Sequence, residues 1–170
     1  MQLRYSFLLG TALTAPAVAA DLNVSVEIPL LNVAAYHRPY VAFWIEDKDQ
    51  KFAQNLAVWH QLKSKNNEGD KYIKDLRQWW RKSGRDLQMP LDGLSGATRA
   101  PGTHTLNFNG AKAGLDKLPA GEYQLVVEAA REAGGRELLR VPFQWPTKSA
   151  QTAQAKGDSE LGSVSVTVKP

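Results

Sequence analysis

The stretch EYQLVVEAAREAGGRELLRVPFQ, residues 122–144, predicts a β-hairpin and sets the fold class of this chain. Gly134 and Gly135 lie between two apolar segments, and such paired glycines are typical of the tight turns that join antiparallel strands. The turn therefore predicts one strand over residues 122–131 and a second over residues 136–144.

Alternation of apolar and polar residues predicts further strands on both sides of this hairpin. The predicted strands cover Leu22 to Ile28, Val41 to Ile45, residues 52–61, residues 103–108 and Val164 to Val168. The segment LPAGEYQLVVEA resembles the Pro-Ala-Gly-x-Tyr corner of Ig-like modules in secreted bacterial proteins. Several short strands with regular turns indicate a mainly β fold, an immunoglobulin-like β-sandwich.

Two segments interrupt the strand pattern. In DKYIKDLRQWWRKSG, residues 70–84, Ile73, Leu76, Trp79 and Trp80 fall at helical spacing and predict one inserted helix. Core packing is the ordinary role of such tryptophans. Residues 147–158 are polar and low in complexity, and we expect them to form a long exposed loop before the last strand.

The N-terminal residues have the composition of a secretory signal peptide. A positive start that includes Arg4 precedes a mostly apolar segment, which ends in the small residues of a cleavage site. The apolar segment is short and poor in large aliphatic side chains, which favours a signal peptide over residues 1–20 rather than a membrane anchor. Residues 21–170 then suit a single exported domain, with a periplasmic location and no stable membrane insertion after cleavage.

Composition excludes several kinds of site. The chain has no cysteine, which excludes disulfides, thiolate metal sites and cysteine nucleophiles. Its formal net charge of +4 is small and scattered, so we expect no nucleic-acid partner. Any redox chemistry must therefore use a borrowed cofactor.

The remaining reactive side chains do not form a catalytic pattern. The acidic run EDKD, residues 46–49, predicts a turn at a strand end rather than the carboxylate pair of a glycosidase. We predict no metal site, because no close pair occurs among the histidines His37, His60 and His104. The chain is therefore not expected to be an enzyme with a site of its own.

The stretch LDGLSGATRAPG, residues 91–102, combines a carboxylate, hydroxyls and glycines with little that could pack in a core. Pro90 precedes it, and Pro101 and Gly102 end it, so the stretch reads as a defined surface loop between the helix and the strand at residues 103–108. Its hydroxyl groups should be reachable from solvent.

Within this loop, DGLSGAT (residues 92–98) resembles the D-x-x-[ST]-G-A-[ST] signal of the flavin transferase ApbE. ApbE modifies bacterial electron-transfer proteins, including subunits of the sodium-pumping quinone reductase and of the Rnf complex. In those proteins the last Thr or Ser carries FMN through a phosphoester bond. The resemblance therefore implies covalent FMN on Thr98, donated from FAD.

A broader resemblance covers much of the mature chain. The segments RPYVAFWIED, YIKDLRQWW and LPAGEYQLVVEAAREAGG are similar to exported bacterial domains associated with PepSY-type membrane flavoproteins and with ApbE. This resemblance implies two partners, an ApbE-type flavin transferase and a PepSY-type membrane flavoprotein.

The residue types of the motif are compatible with that chemistry. The acceptor hydroxyl must approach a metal-bound diphosphate without obstruction, and Gly96 and Ala97 leave the approach open. In the systems that the motif resembles, magnesium on the transferase activates the phosphate. Asp92 and Ser95 either shape the loop or are recognised by the transferase, and Gly93 lies between them.

An attached flavin needs a surface for its ring and a cation for its phosphate. Trp79 and Trp80 are the candidates for stacking. Arg99 is the candidate for pairing with the phosphate, and the alternative for Arg99 is an ordinary solvated charge.

Two hypotheses for function follow from the sequence. The first is a periplasmic flavin carrier that exchanges electrons with a membrane flavoprotein and has no substrate turnover of its own. The alternative is a noncatalytic binding or accessory module of the cell envelope, in which residues 92–98 are a structural loop.

Overall fold

The computed structural model describes residues 20–63 and 68–170, without the side chains of Glu68 and Asp70. The strands are β1 (Asp21–Ile28), β2 (Tyr40–Asp47), β3 (Phe52–His60), β4 (Ser95–Ala97), β5 (Gly102–Asn109), β6 (Gly121–Ala130), β7 (Arg136–Trp145), β8 (Gln151–Lys156) and β9 (Ser163–Lys169). Two short helices, α1 (Glu68–Tyr72) and α2 (Arg77–Lys82), lie between β3 and β4. The predicted signal peptide lies outside the described residues, except for Ala20.

The strands form two sheets that pack face to face. One sheet has the order β5-β1-β9-β8 and the other the order β4-β3-β2-β6-β7. All neighbouring strands are antiparallel except β3 and β4. The predicted mainly β sandwich is confirmed.

Period-two alternation fills the space between the sheets. Leu22, Val24 and Val26 of β1 are fully buried, and partly exposed residues alternate with them along the strand. They pack in one cluster with Phe43 and Leu125 of the opposite sheet. Burial of each such side chain stabilises the fold by about 1.5–3 kcal/mol, so this interface is the main source of stability.

A helical layer covers the outer face of the five-stranded sheet. Trp44 of β2 points away from the sandwich core and packs in a second cluster with Ile73, Leu76 and Trp79. Both faces of β2 are therefore buried, which explains why its sequence, YVAFWIED, is apolar at almost every position.

The predicted inserted helix is present, but it is split. After α1 a 3₁₀ turn spans Ile73–Asp75, and α2 begins at Arg77. The buried carboxylate of Glu128 on β6 accepts hydrogen bonds from the backbone of Gln78 at 3.1 Å and of Trp79 at 2.8 Å. Because this distant carboxylate caps α2, the helix restarts at a point that its own sequence does not mark.

The predicted loop over residues 147–158 is wrong, because β8 spans Gln151–Lys156. Ala153 and Ala155 lie on one face and pack against the core, while Thr152 and Gln154 are exposed. The alternation is present, but alanine provides little apolar area, so the pattern was too weak to predict a strand.

The hairpin and the tyrosine corner are confirmed. The Tyr123 hydroxyl donates a hydrogen bond to the Pro119 carbonyl at 2.7 Å, which fixes the entry into β6. In the hairpin turn, a Cβ at Gly135 would stand 2.7 Å from Oε1 of Glu160, and one at Gly134 would meet the Arg131 guanidinium. These glycines are required because a buried ion pair approaches their backbone.

Candidate functional site

The motif loop is held at the edge of the five-stranded sheet. Strand β4 pairs in parallel with the end of β3, so that Ser95, Gly96 and Ala97 lie opposite residues 58, 59 and 60. Thr98 follows directly after this short strand. The connection over residues 98–101 then passes to β5 in the other sheet.

Hydrogen bonds within the loop explain two motif residues. The Ser95 hydroxyl accepts a hydrogen bond from the Leu91 backbone at 2.9 Å, and the Ser95 backbone donates to the Leu91 carbonyl at 2.9 Å. Gly93 adopts a φ of 73°, where glycine is favoured. Ser95 therefore closes the turn. Among the described residues, Asp92 accepts one hydrogen bond, from the adjacent Gly93 backbone at 3.1 Å, and it is exposed, so its second oxygen is available to a partner.

Gly96 lies directly against a tryptophan. A Cβ at this position would stand 3.2 Å from Cδ1 of Trp59, which is tighter than ordinary packing allows. Trp59 is 4% exposed and also packs edge-on against Phe43, with ring centroids 4.8 Å apart. Glycine thus lets the loop lie close to the sheet without displacing Trp59, in addition to leaving the acceptor unobstructed.

Thr98 is half-buried, and among residues 20–63 and 68–170 its hydroxyl has no hydrogen-bond partner. The guanidinium carbon of the adjacent Arg99 lies 5.5 Å from the centroid of the Trp59 ring, in cation–π geometry. Nε2 of His104 lies 2.8 Å from the Ala100 carbonyl and fixes the connection that follows. The acceptor is therefore free, and the segments on either side of it are held.

The structure does not support stacking of a flavin on Trp79. This side chain is fully buried, and its indole N–H donates to Oδ1 of Asn55 at 2.9 Å, so it has no face to offer. Trp80 is half-buried under Nζ of Lys74, 5.7 Å from its ring centroid, in a hollow whose described lining includes no residue of the motif. The helix places both tryptophans in the outer layer, away from the loop.

Trp59 is the aromatic residue that the sequence analysis missed. It lies 37 positions before Gly96 in the sequence (96 − 59), and only the parallel pairing of β3 with β4 brings them together. A parallel pairing of a three-residue strand leaves no periodic signal.

A groove opens beside the loop, between β3 and β5. Its volume is about 720 Å³, and the motif residues Asp92 and Gly93 form part of its wall together with Leu56 and Phe108. Strand β4 pairs with residues 58–60 at the end of β3, so in the described part of the chain no strand pairs with the first half of β3 on this side. The groove is therefore the gap that the short β4 leaves at the edge of the sandwich.

The acidic run at residues 46–49 is structural. The Glu46 carboxylate is fully buried and contacts Nζ of Lys82 at 2.7 Å and Nε of Arg140 at 3.0 Å. Burial acts to raise its pKa, but hydrogen bonds from Lys82, Trp44 and Arg140 outweigh burial and lower the pKa. The Asp47 carboxylate accepts two backbone hydrogen bonds from the following turn, as the sequence predicts.

Comparison with known proteins places this chain in a family. No curated protein and no solved structure matches it. Among the described residues, no helix has the length and apolar character needed to cross a bilayer. A family model described as a predicted periplasmic protein, DUF2271, matches residues 21–163. The chain therefore belongs to the DUF2271 family of predicted periplasmic proteins.

Proposed function

We propose that this chain is a periplasmic electron carrier with FMN attached covalently to Thr98. The observation that carries the proposal is the position of the Thr98 hydroxyl, which has no hydrogen-bond partner among the described residues and stands just beyond a three-residue edge strand inside the sequence DGLSGAT. A transferase that must bring a dinucleotide to this hydroxyl needs an acceptor that is unpaired and held in a defined position.

The residues around Thr98 have different roles in presenting its hydroxyl to the transferase. Ser95 and Gly93 give the loop its shape, and Gly96 lets it lie against Trp59. Asp92 is exposed and offers a carboxylate for recognition by the transferase. Arg99 is exposed beside the acceptor, where its guanidinium can pair with a phosphoester.

Attachment is a phosphoryl transfer from FAD. The Thr98 oxygen bonds to the phosphorus on the FMN side of the diphosphate, and the bond from that phosphorus to the bridging oxygen breaks. AMP leaves with the bridging oxygen, and the hydroxyl proton passes to a base of the transferase or to solvent. The transferase supplies the metal ion, so this chain contributes only the nucleophile and its setting.

Bound FMN supplies reversible one- and two-electron transfer. A tether keeps the cofactor at high local concentration in a compartment from which a free flavin would be lost by dilution. The proposed electron donor is a membrane flavoprotein of the PepSY type, and the transferase is of the ApbE type. Weak, fast association with the donor is expected, because a carrier must leave after each transfer.

Intact mass tests the attachment. Mature protein made in an exporting host with an active transferase should gain the mass of one FMN less one water, and peptide mapping should locate it at Thr98. Thr98→Ala should abolish the gain, whereas Thr98→Ser should retain it because the motif accepts either hydroxyl. Thr103→Ala removes an exposed hydroxyl five residues away and serves as the matched control. An adduct that persists in Thr98→Ala would contradict the proposal.

A second experiment tests electron transfer. Under anaerobic conditions, reduced membranes containing the donor should bleach the flavin absorbance of the carrier, and an added acceptor should restore it. Flavinylated protein that stays oxidised beside a reduced, competent donor would favour the accessory binding module instead.

A further inference from the structure

The described surface includes five hollows of about 270 Å³ or more. Two of them, of about 510 Å³ beside Phe143 and about 270 Å³ beside Arg131, contain no residue of the motif in their described lining. The remaining three are the groove between β3 and β5, about 720 Å³, the hollow at Trp80, about 340 Å³, and a hollow beside Leu62 and Ser95, about 270 Å³. Small-molecule sites are typically concave, mostly apolar and about 300–1,000 Å³ in volume. The groove between β3 and β5 lies well inside this range and borders the motif.

The other two hollows fit a flavin less well. The hollow at Trp80 is lined in its described part by residues of the helical layer and of residues 87–89, none of them in the motif. The hollow beside Ser95 touches the motif, but the described residues that line it include no aromatic side chain. The groove has both a motif wall and the aromatic side chains of Phe52 and Phe108.

The covalent tether reaches the near end of the groove. The Leu94 carbonyl accepts a hydrogen bond from Val58 at 2.9 Å, so Leu94 marks the near end of the groove. Thr98 lies four positions after Leu94, which corresponds to roughly 13 Å of extended strand. A ribityl phosphate with its three-ring system spans roughly 15 Å at standard bond lengths. Gly96 lies between Leu94 and Thr98 and has no side chain to obstruct the path along the loop.

The lining suits an isoalloxazine ring. The half-buried side chain of Phe108 provides apolar surface for the dimethylbenzene part of the ring, beside the buried Leu56. Asn107 and Lys112 are exposed at the rim and can donate hydrogen bonds to the carbonyls of the polar part. The Asp92 carboxylate also lines the groove, so the two formal charges there have opposite signs.

We infer that this groove holds the isoalloxazine ring of the FMN carried by Thr98. The inference rests on the proposed function. Phe108, from the opposite sheet, is a binding residue for the ring in this arrangement. The groove is open to solvent, so a ring held there stays accessible to a redox partner.

Collisional quenching of flavin fluorescence by iodide tests this arrangement on the flavinylated mature protein. The ring in the folded protein should be quenched several-fold more slowly than the same tethered flavin after unfolding in denaturant. Phe108→Ala should raise the quenching rate several-fold and weaken the visible circular dichroism of the flavin. Leu106→Ala is the matched control, because Leu106 is also half-buried on β5 and packed against the core but does not line the groove.

A second pair of variants covers the case in which Phe108→Ala does not fold. Asn107→Trp fills the rim from an exposed position and should displace the ring, which raises quenching, while Thr105→Trp on the same face of β5 should not. Equal quenching in folded and unfolded wild-type protein, or equal effects of a variant and its control, would contradict the inference that the groove holds the ring but would leave the proposed function intact. A wild-type protein that gains no FMN mass would overturn both the groove and the proposed function.

Discussion

The two long edges of the sandwich are built in opposite ways. At one edge, β7 is tied by side chains to β8 and to the turn that follows it: the Glu137 carboxylate accepts backbone hydrogen bonds from residues 158, 159 and 161, between β8 and β9, at 2.7–3.1 Å. Gln151 adds a hydrogen bond to the Gln144 carbonyl. At the other edge, β4 covers only three residues of β3, and a groove remains. The closed edge stabilises the fold, and the open edge leaves backbone and apolar surface available for function.

Breaking the closed edge should have the largest effect on stability. Arg131 and Glu160 form a buried two-pronged ion pair, with both N–O distances 3.0 Å. Glu160→Ala leaves the Arg131 charge buried without compensation, which should cost about 3–5 kcal/mol of unfolding free energy in denaturant titrations. Glu132→Ala on the same hairpin is the control, because its pairing with His37 is exposed and should be worth less than about 1 kcal/mol.

A larger side chain at Gly96 should disturb the motif at the open edge and leave the rest of the sandwich folded. Gly96→Val places a branched side chain against Trp59, which should cost about 1–3 kcal/mol by overpacking and move the loop off the sheet. Flavin incorporation, measured by intact mass, should fall sharply while far-UV circular dichroism stays that of the wild-type sandwich. Loss of the circular dichroism signal together with flavin incorporation would mean that the loop is primarily structural.

Acid should weaken the closed edge through Glu137. Burial acts to raise the pKa of this carboxyl, but the three backbone hydrogen bonds lower it below the ordinary 4.5. A lowered pKa in the folded state contributes stability above about pH 4.5, and that contribution is lost as the pH falls through the folded-state pKa. Glu137→Gln should therefore cost about 1 kcal/mol at neutral pH and reduce the loss of unfolding free energy between about pH 5 and about pH 3. If the variant loses stability as steeply as wild type in this range, Glu137 does not contribute to the acid response.

Removing Arg99 should have the smallest effect on stability. Its guanidinium is exposed over Trp59, and such a contact is worth about 0.5 kcal/mol, so Arg99→Ala should melt almost as wild type does. Flavin should still attach, but its phosphoester should lose a cation. A variant that loses several kcal/mol in the melt would show that Arg99 holds the loop rather than serving the phosphate.

At the closed edge, the sequence predicts β7 but not β8. Alternation predicts β7 and β9 because each buries mainly one face, and the Gly134-Gly135 turn predicts β6, which buries both faces. Strand β8 escapes prediction because its buried positions are alanines. The α2 start escapes because its cap, Glu128, comes from another strand.

At the open edge, the motif itself predicts which residues matter but not what surrounds them. The motif identifies Thr98, which is half-buried between the exposed residues Ala97 and Arg99, in agreement with the expected surface loop. The sequence offers Trp79 and Trp80 as candidates for stacking, but the structure places both in the helical layer. The aromatic side chain that packs against the motif is Trp59. The pairing of β3 with β4 is long-range and three residues long, so neither periodicity nor spacing could reveal it.

Because Trp59 packs against Gly96, its fluorescence can report on the conformation of the motif loop. The chain has five tryptophans, and Trp44, Trp79 and Trp80 pack in the helical layer, while Trp145 donates to the Leu115 carbonyl at 2.9 Å, away from the motif. Replacing these four with phenylalanine would leave emission from Trp59 alone. Movement of the loop would then change the wavelength of that emission, and energy transfer from Trp59 would report an attached flavin without any added label.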